Sequence, residues 1–146
     1  MNSKATNAHT IAALIEQLGR QVQNLCFTRE LAPVQWSALR YFAKVGPSAR
    51  TVSGLAAYSG VNLSSASRTI QLLHKKGLAE ISAVPGDNRV RRVSLTSAGR
   101  ALLERDPLYG LAEAADEALN MEEQTGLSAL LEKLLFQLCP RPFRGP

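Results

Sequence analysis

Two short stretches hold most of the side chains that could do chemistry. The first, L-S-S-A-S-R-T-I-Q-L-L-H-K-K at residues 63–76, spaces Ser64, Ser65, Ser67, Arg68 and Gln71 along an apolar backbone of helical period. Short hydroxyls near a helix N-terminus can come close to phosphates or base edges, and an arginine reaches a phosphate or a guanine edge. The second, D-N-R-V-R-R-V-S-L-T-S-A-G-R at residues 87–100, packs four arginines and one aspartate into fourteen residues. Arginine suits the narrow, strongly negative minor groove of a duplex. Both stretches point to non-covalent recognition of a polyanion. Asp87 would be repelled by DNA if it were free. Two residues before Arg89, it reads as a local partner that holds the guanidinium in position. The alternative is a surface ion pair worth under about 1 kcal/mol.

Covalent chemistry has no comparable support. The chain shows no phosphate loop, no metal-ligand cluster and no acid–base pair beside a nucleophile. His74 is seven to ten residues beyond the serines of 64–67 on the same helix and cannot activate them. The expectation is therefore a protein that is not an enzyme and carries no cofactor and no metal.

Charge supports the same emphasis. The chain of 146 residues has a formal net charge of +5, unevenly spread. Residues 28–100 hold eleven lysines and arginines against three acids, whereas residues 101–146 are net acidic. A basic middle between less basic ends suits a polyanion-facing module on a different kind of scaffold. A merely solvated basic surface is the alternative that charge alone leaves open.

The elements that must position these groups follow from periodicity. Ile11, Leu14, Ile15, Leu18, Val22 and Leu25 form one stripe of a helix over 10–27, long enough to suggest packing against a partner. Pro33 opens a second helix, Val34 to Val45, which Gly46-Pro47 stops. Thr51 caps a short helix, Val52 to Tyr58. Ser59-Gly60-Val61 breaks it, and Asn62 caps the next helix, Leu63 to Lys76, with Leu63, Ala66, Ile70 and Leu73 inward. Gly77 ends that helix. Leu78 to Ala83 and Val90 to Leu95 read as two strands of a hairpin around Pro85-Gly86-Asp87-Asn88. Thr96 starts a helix to about Arg105, and Asp106-Pro107 kinks or restarts it through Leu108, Leu111, Ala115 and Leu119. Asn120 and Glu123 have capping-box spacing ahead of a leucine-rich helix, Met121 to Leu138. Pro140 and Pro142 close the chain in an extended tail.

Ala56, Gly60, Val61 and Ile70 have the spacing of a helix-turn-helix: a small residue lets two helices approach, and glycine permits the tight turn. A purely structural helical hairpin is the alternative. A helix-turn-helix followed at once by a hairpin with a charged tip is a winged helix, and the pairing favours nucleic-acid contact. The fold class is mainly α with a small β-hairpin wing. It forms one unit, 1–146, with a winged helix-turn-helix over 31–100 and helices at 10–27 and 101–138 for dimerisation.

The stretches S-A-S-R-T-I-Q-L-L-H-K-K-G-L at 65–78 and D-N-R-V-R-R-V-S-L-T-S-A-G-R at 87–100 resemble the MarR family of winged-helix transcriptional regulators. P-V-Q-W-S-A-L at 33–39 resembles that family's helix ahead of the reading head. The resemblance implies a homodimer on a pseudo-palindromic operator in double-stranded DNA, often as a repressor. It implies the helix at 63–76 in the major groove and Arg89 in the minor groove, oriented by Asp87. Arg91 is a further candidate DNA contact on the wing. It also implies release by a small phenolic or aromatic ligand, or by cysteine oxidation. Asp106-Pro107 and Gly110 depart from the family pattern, in which the helix after the wing is often continuous.

Other readings concern single residues. Trp36, Tyr41 and Tyr58 read first as core and second as lining of an effector pocket. Cys26 reads as a small buried hydrophobe, with a redox-responsive regulator as the alternative. Cys139, next to Pro140, reads as exposed. His74 reads as solvated or backbone-facing. A winged helix used for protein contact is a further alternative, and it calls for an apolar patch on the recognition helix. No apolar run approaches the roughly eighteen residues needed to cross a bilayer, and residues 1–10 show no apolar signal core, so a cytoplasmic protein without membrane contact is expected.

Overall fold

The computed structural model describes residues 3–139. Seven α-helices and one hairpin follow in order: α1 Ser3–Cys26, α2 Pro33–Lys44, α3 Val52–Ser59, α4 Leu63–Lys75, β1 Ala79–Val84, β2 Asp87–Leu95, α5 Ser97–Leu103, α6 Leu108–Ala118 and α7 Met121–Leu138. The tail expected around Pro140 and Pro142 lies outside the described residues.

Local hydrogen bonds set most boundaries. The side chains of Thr51, Asn62, Thr96 and Asn120 each accept the main-chain N–H three residues on, at Gly54, Ser65, Gly99 and Glu123. Each satisfies a donor that the first helical turn leaves orphaned. Glu123 returns the bond to the Asn120 N–H, completing the expected capping box. Gly77 ends α4 at φ +74°, a left-handed value that glycine adopts without a Cβ penalty. α1 begins at Ser3, well before Thr10, because the polar residues ahead of the apolar stripe continue the helix.

One core joins α2 to α5 and the hairpin. Trp36, Leu39 and Phe42 of α2, Leu55 of α3, Ile70 and Leu73 of α4 and Val93 of β2 are its fully buried large side chains, with Leu31 ahead of α2. α3 packs on α4, α2 packs on both, and β1 continues directly from the end of α4. Thr96 closes the far end: its hydroxyl donates to the Gly77 carbonyl at 2.7 Å and its N–H to the Leu78 carbonyl at 3.1 Å. Gly99 sits against that same Leu78 carbonyl, so closely that any Cβ there would collide with it. The stretch Thr96-Ser97-Ala98-Gly99 thus docks α5 against the root of the wing.

Three sequence expectations are corrected here. Leu63 does not point inward; it is 58% exposed, because none of the first three residues of α4 finds a buried environment. Val61 is also exposed, whereas Ala56, Ala66 and Ile70 are buried where α3 meets α4. Gly110 does not interrupt a helix: α6 runs through it, and the break covers Glu104 to Pro107.

The outer helices are a second kind of region. α1 lies against α6, yet neither α6 nor α7 buries a residue. Ile11, Leu14, Ile15 and Leu18 of α1 and Leu127, Leu130, Leu131 and Leu134 of α7 present their apolar sides to solvent.

Candidate nucleic-acid interface

α4 divides by face. Ala66, Thr69, Ile70 and Leu73 are buried. Opposite them Ser64, Arg68, Gln71 and Lys75 form an exposed line, spaced four, three and four residues apart. Ser65 and Ser67, expected beside them, are half-buried on the flanks. The helix is held at both ends. Asn62 Oδ1 accepts the Ser65 N–H at 2.8 Å. At the other end Lys76 Nζ donates to the Glu30 carbonyl at 2.8 Å and to Gln35 Oε1 at 3.2 Å. His74 is backbone-facing, as expected, with Nδ1 2.9 Å from the Ala79 carbonyl oxygen. A polar line on a helix clamped at both ends has few rotational degrees of freedom to lose when a rigid surface meets it.

The wing is an antiparallel pair running from Ala79 opposite Leu95 to Ala83 opposite Arg91. Val93 N–H donates to the Arg50 carbonyl at 2.8 Å, so the root of β2 is also fixed to the loop before α3. The turn is shorter than expected. Val84 pairs with Asp87 across Pro85-Gly86, with Gly86 at φ +85°, so β2 begins at Asp87 rather than Val90. Proline then glycine is the residue order a type II turn favours, with glycine at the position of positive φ. The register slips between Ala83 and Val84, which leaves Asn88, Arg89 and Val90 outside the ladder as a bulge. Asp87 Oδ1 accepts the Arg89 main-chain N–H at 2.9 Å. The expected partnership of Asp87 with Arg89 is therefore present, but through the peptide and not the guanidinium. Asp87 shapes the bulge that carries Arg89. Arg89 and Arg91 are exposed. Arg92, on the alternate face and opposite Ser82, has a buried Nε with no hydrogen-bond partner among the described residues.

The aromatic residues are separated by their environments. Trp36 is buried and its Nε1–H donates to Thr28 Oγ1 at 3.1 Å. Tyr41 is buried and its hydroxyl donates to the Ala49 carbonyl at 2.7 Å; burial raises its pKa above the ordinary value. Tyr58 reaches solvent and leans on Tyr41 with ring centroids 5.0 Å apart. Trp36 and Tyr41 thus serve the core, and Tyr58 alone of the three presents a substantial exposed face. Cys26 is buried and Cys139 exposed. Among the described residues no group of His, Cys, Asp and Glu could hold a metal ion, and no helix is long and apolar enough to cross a membrane.

Sequence reasoning missed the junction between the reading head and the outer helices. Arg40 Nε of α2 donates to Asp106 Oδ2 at 2.8 Å in a largely buried ion pair. The other oxygen of Asp106 accepts the Leu108 N–H at 2.9 Å, which starts α6. Arg40 Nη2 also donates to Cys26 Sγ at 3.5 Å. The end of α1, the middle of α2 and the start of α6 therefore meet at one guanidinium. Asp106-Pro107 was readable as a helix start, but nothing local marks Arg40 as its partner. Glu30 is a smaller link on the same side. Its carboxyl is held below the usual value first by its own main-chain N–H and then by the Thr28 hydroxyl, with help from Arg105 and Arg29. The Arg105 guanidinium stands 3.7 Å away.

The geometry has close counterparts. Residues 30–89 match the model of the MarR family. A probable transcriptional regulator from Pseudomonas aeruginosa is 29% identical and aligns over 85% of this chain and 96% of its own, with a TM-score of 0.69. A MarR family transcriptional regulator from Streptomyces coelicolor, solved in complex with DNA, is 22% identical over 94% of this chain and 90% of its own, at 0.76. BpsR from Bordetella bronchiseptica, whose DNA binding is regulated by 6-hydroxynicotinic acid, is 20% identical over 86% and 98%, at 0.70. The last two are similar in fold.

Proposed function

We propose that this chain, whose residues 30–89 match the model of the MarR family, is a DNA-binding transcriptional regulator of that family, and that two copies bind one pseudo-palindromic operator and repress the adjoining promoter. The observation that carries the reading is a clamped helix with an exposed Ser64–Arg68–Gln71–Lys75 line, followed at once by an arginine-bearing bulge on the wing. α4 enters the major groove by its N-terminal half, where Ser64 and Arg68 meet base edges and Gln71 and Lys75 lie nearer the backbone. Ser65 and Ser67 contribute from the flanks. Arg89 enters the minor groove from the bulge that Asp87 shapes, and Arg91 contacts the backbone. The uncovered leucines of α1 and α7 supply the contact between the two copies.

Release by a small aromatic ligand is the finer part of the proposal. It is supported by the regulation of BpsR, similar in fold, and by the exposed ring of Tyr58. Thiol-based control through Cys26 has less support, because its side chain is buried at 2% exposure.

Binding to duplexes selected from a random pool tests the reading. With about four phosphates neutralised per copy, log K falls against log[salt] with a slope near −7. Arg89→Ala lowers affinity about tenfold or more and flattens the slope by about one per copy, with an unchanged melting temperature. Wild-type affinity in that variant would remove the wing from the interface.

A further inference from the structure

We propose that Leu63 reads the methyl group of a thymine in each half-site. This rests on the major-groove placement of α4 given above. Leu63 is the first residue of α4, continues the stripe of Ala66, Ile70 and Leu73, and yet is 58% exposed. It borders Ser64, which opens the exposed line that continues through Arg68. Val61, just ahead of the helix, is exposed as well. An apolar spot thus sits at the leading end of the helix, between the buried stripe and the polar, cationic line.

The chemistry of that spot selects its target. A leucine side chain has no donor or acceptor, so it gains nothing from phosphates or from the amino and carbonyl edges of bases. The major groove offers one apolar feature, the C5-methyl of thymine. A side chain at the start of a helix tilts toward the N-terminus, and the N-terminal end of a recognition helix is the end that meets base edges. Ser64 and Arg68 supply hydrogen bonds on the same approach, so Leu63 adds discrimination at a position they do not read. Covering one methyl group is worth about a fourfold change in affinity per half-site, and about fifteenfold when both half-sites lose it.

The experiment uses the full chain and the tightest duplex recovered from a random pool. Each thymine is replaced in turn by deoxyuridine, which lacks only the methyl group. One symmetric pair of replacements should weaken wild-type binding about fifteenfold. The same pair should leave Leu63→Ser unaffected, since the methyl has lost its partner. Leu72→Ser, altered at another exposed leucine of α4, serves as the control and should keep the penalty. The proposal is overturned if no thymine matters to the wild type, if Leu63→Ser retains the penalty, or if Leu72→Ser loses it. A pool that yields no enriched duplex would instead remove the DNA reading itself, and the thymine contact with it.

Discussion

α4 and α7 carry apolar side chains at similar helical spacing and use them in opposite ways. In α4 Ala66, Ile70 and Leu73 are sealed against α2 and α3, and the face opposite them carries Ser64, Arg68, Gln71 and Lys75. In α7 Leu127, Leu130, Leu131, Leu134, Leu135 and Phe136 all stay exposed, and no residue of the helix is buried. Periodicity marks both as helices with a face to cover, but it does not say whether the cover belongs to the same chain. Leu127, Leu130, Leu131, Leu134 and Leu135 are already about half covered, and each would contribute roughly 1 kcal/mol more if covered completely. That face, matched by Ile11, Leu14 and Leu18 on α1, is the surface on which the proposed contact between two copies rests. The head covers its apolar face with its own elements, and on the proposed reading a second copy covers that of the outer helices.

The largest effect comes from charging the uncovered face. Leu130→Glu combined with Leu134→Glu should reduce the solution mass to that of one 15.8 kDa chain in sedimentation and cost at least about a hundredfold in operator affinity. The head should still unfold cooperatively. A double variant that sediments as a dimer would show that α7 is not the contact.

The same glycine-to-alanine exchange then separates the two regions. Gly99→Ala drives a methyl into the Leu78 carbonyl at the root of the wing and should destabilise by about 2–4 kcal/mol in denaturant unfolding. Gly126→Ala, on α7 with open space around it, should stabilise by about 0.5–1 kcal/mol. If Gly126→Ala destabilises instead, a partner backbone passes close to that point.

Asp106→Asn tests the joint between the regions. It keeps an oxygen for the Leu108 N–H but removes the charge opposite Arg40. Stability should fall by about 1–2 kcal/mol. Selection from random pools should also yield half-sites at less uniform spacing, since the heads are then less firmly oriented on their supports.

A small effect lies wholly inside the head. Tyr41 has a pKa raised by burial, so its contribution is fully present below about pH 10 and is lost as pH rises through the raised value. Tyr41→Phe should cost about 1 kcal/mol near neutral pH, because the Ala49 carbonyl loses its donor. It should also flatten the alkaline limb of the stability curve, followed by thermal unfolding between about pH 9 and 11.

Much of the fold was legible because it is written in contacts three or four residues long. Thr51, Asn62, Thr96 and Asn120 cap their own helices, Gly77 ends α4, and Met121–Leu138 has the boundaries that its leucines imply. The polar line on α4 follows from the same period. What was not legible lies at ends and across distances. Leu63 keeps the period of the buried stripe but falls where no neighbouring element covers it, and Asp87 accepts a peptide N–H two residues on, where the sequence suggested a guanidinium.

By itself, then, the sequence determined the elements, their caps, the winged arrangement and the cationic bias, since backbone preference and short-range hydrogen bonds need no knowledge of distant residues. Tertiary structure alone decided that Arg40 meets Asp106 across 66 positions, that Lys76 meets the Glu30 carbonyl across 46, and which periodic leucines are covered. Such pairings depend on how whole helices pack, and helix packing responds to the shape of every side chain at the contact rather than to the identity of any two.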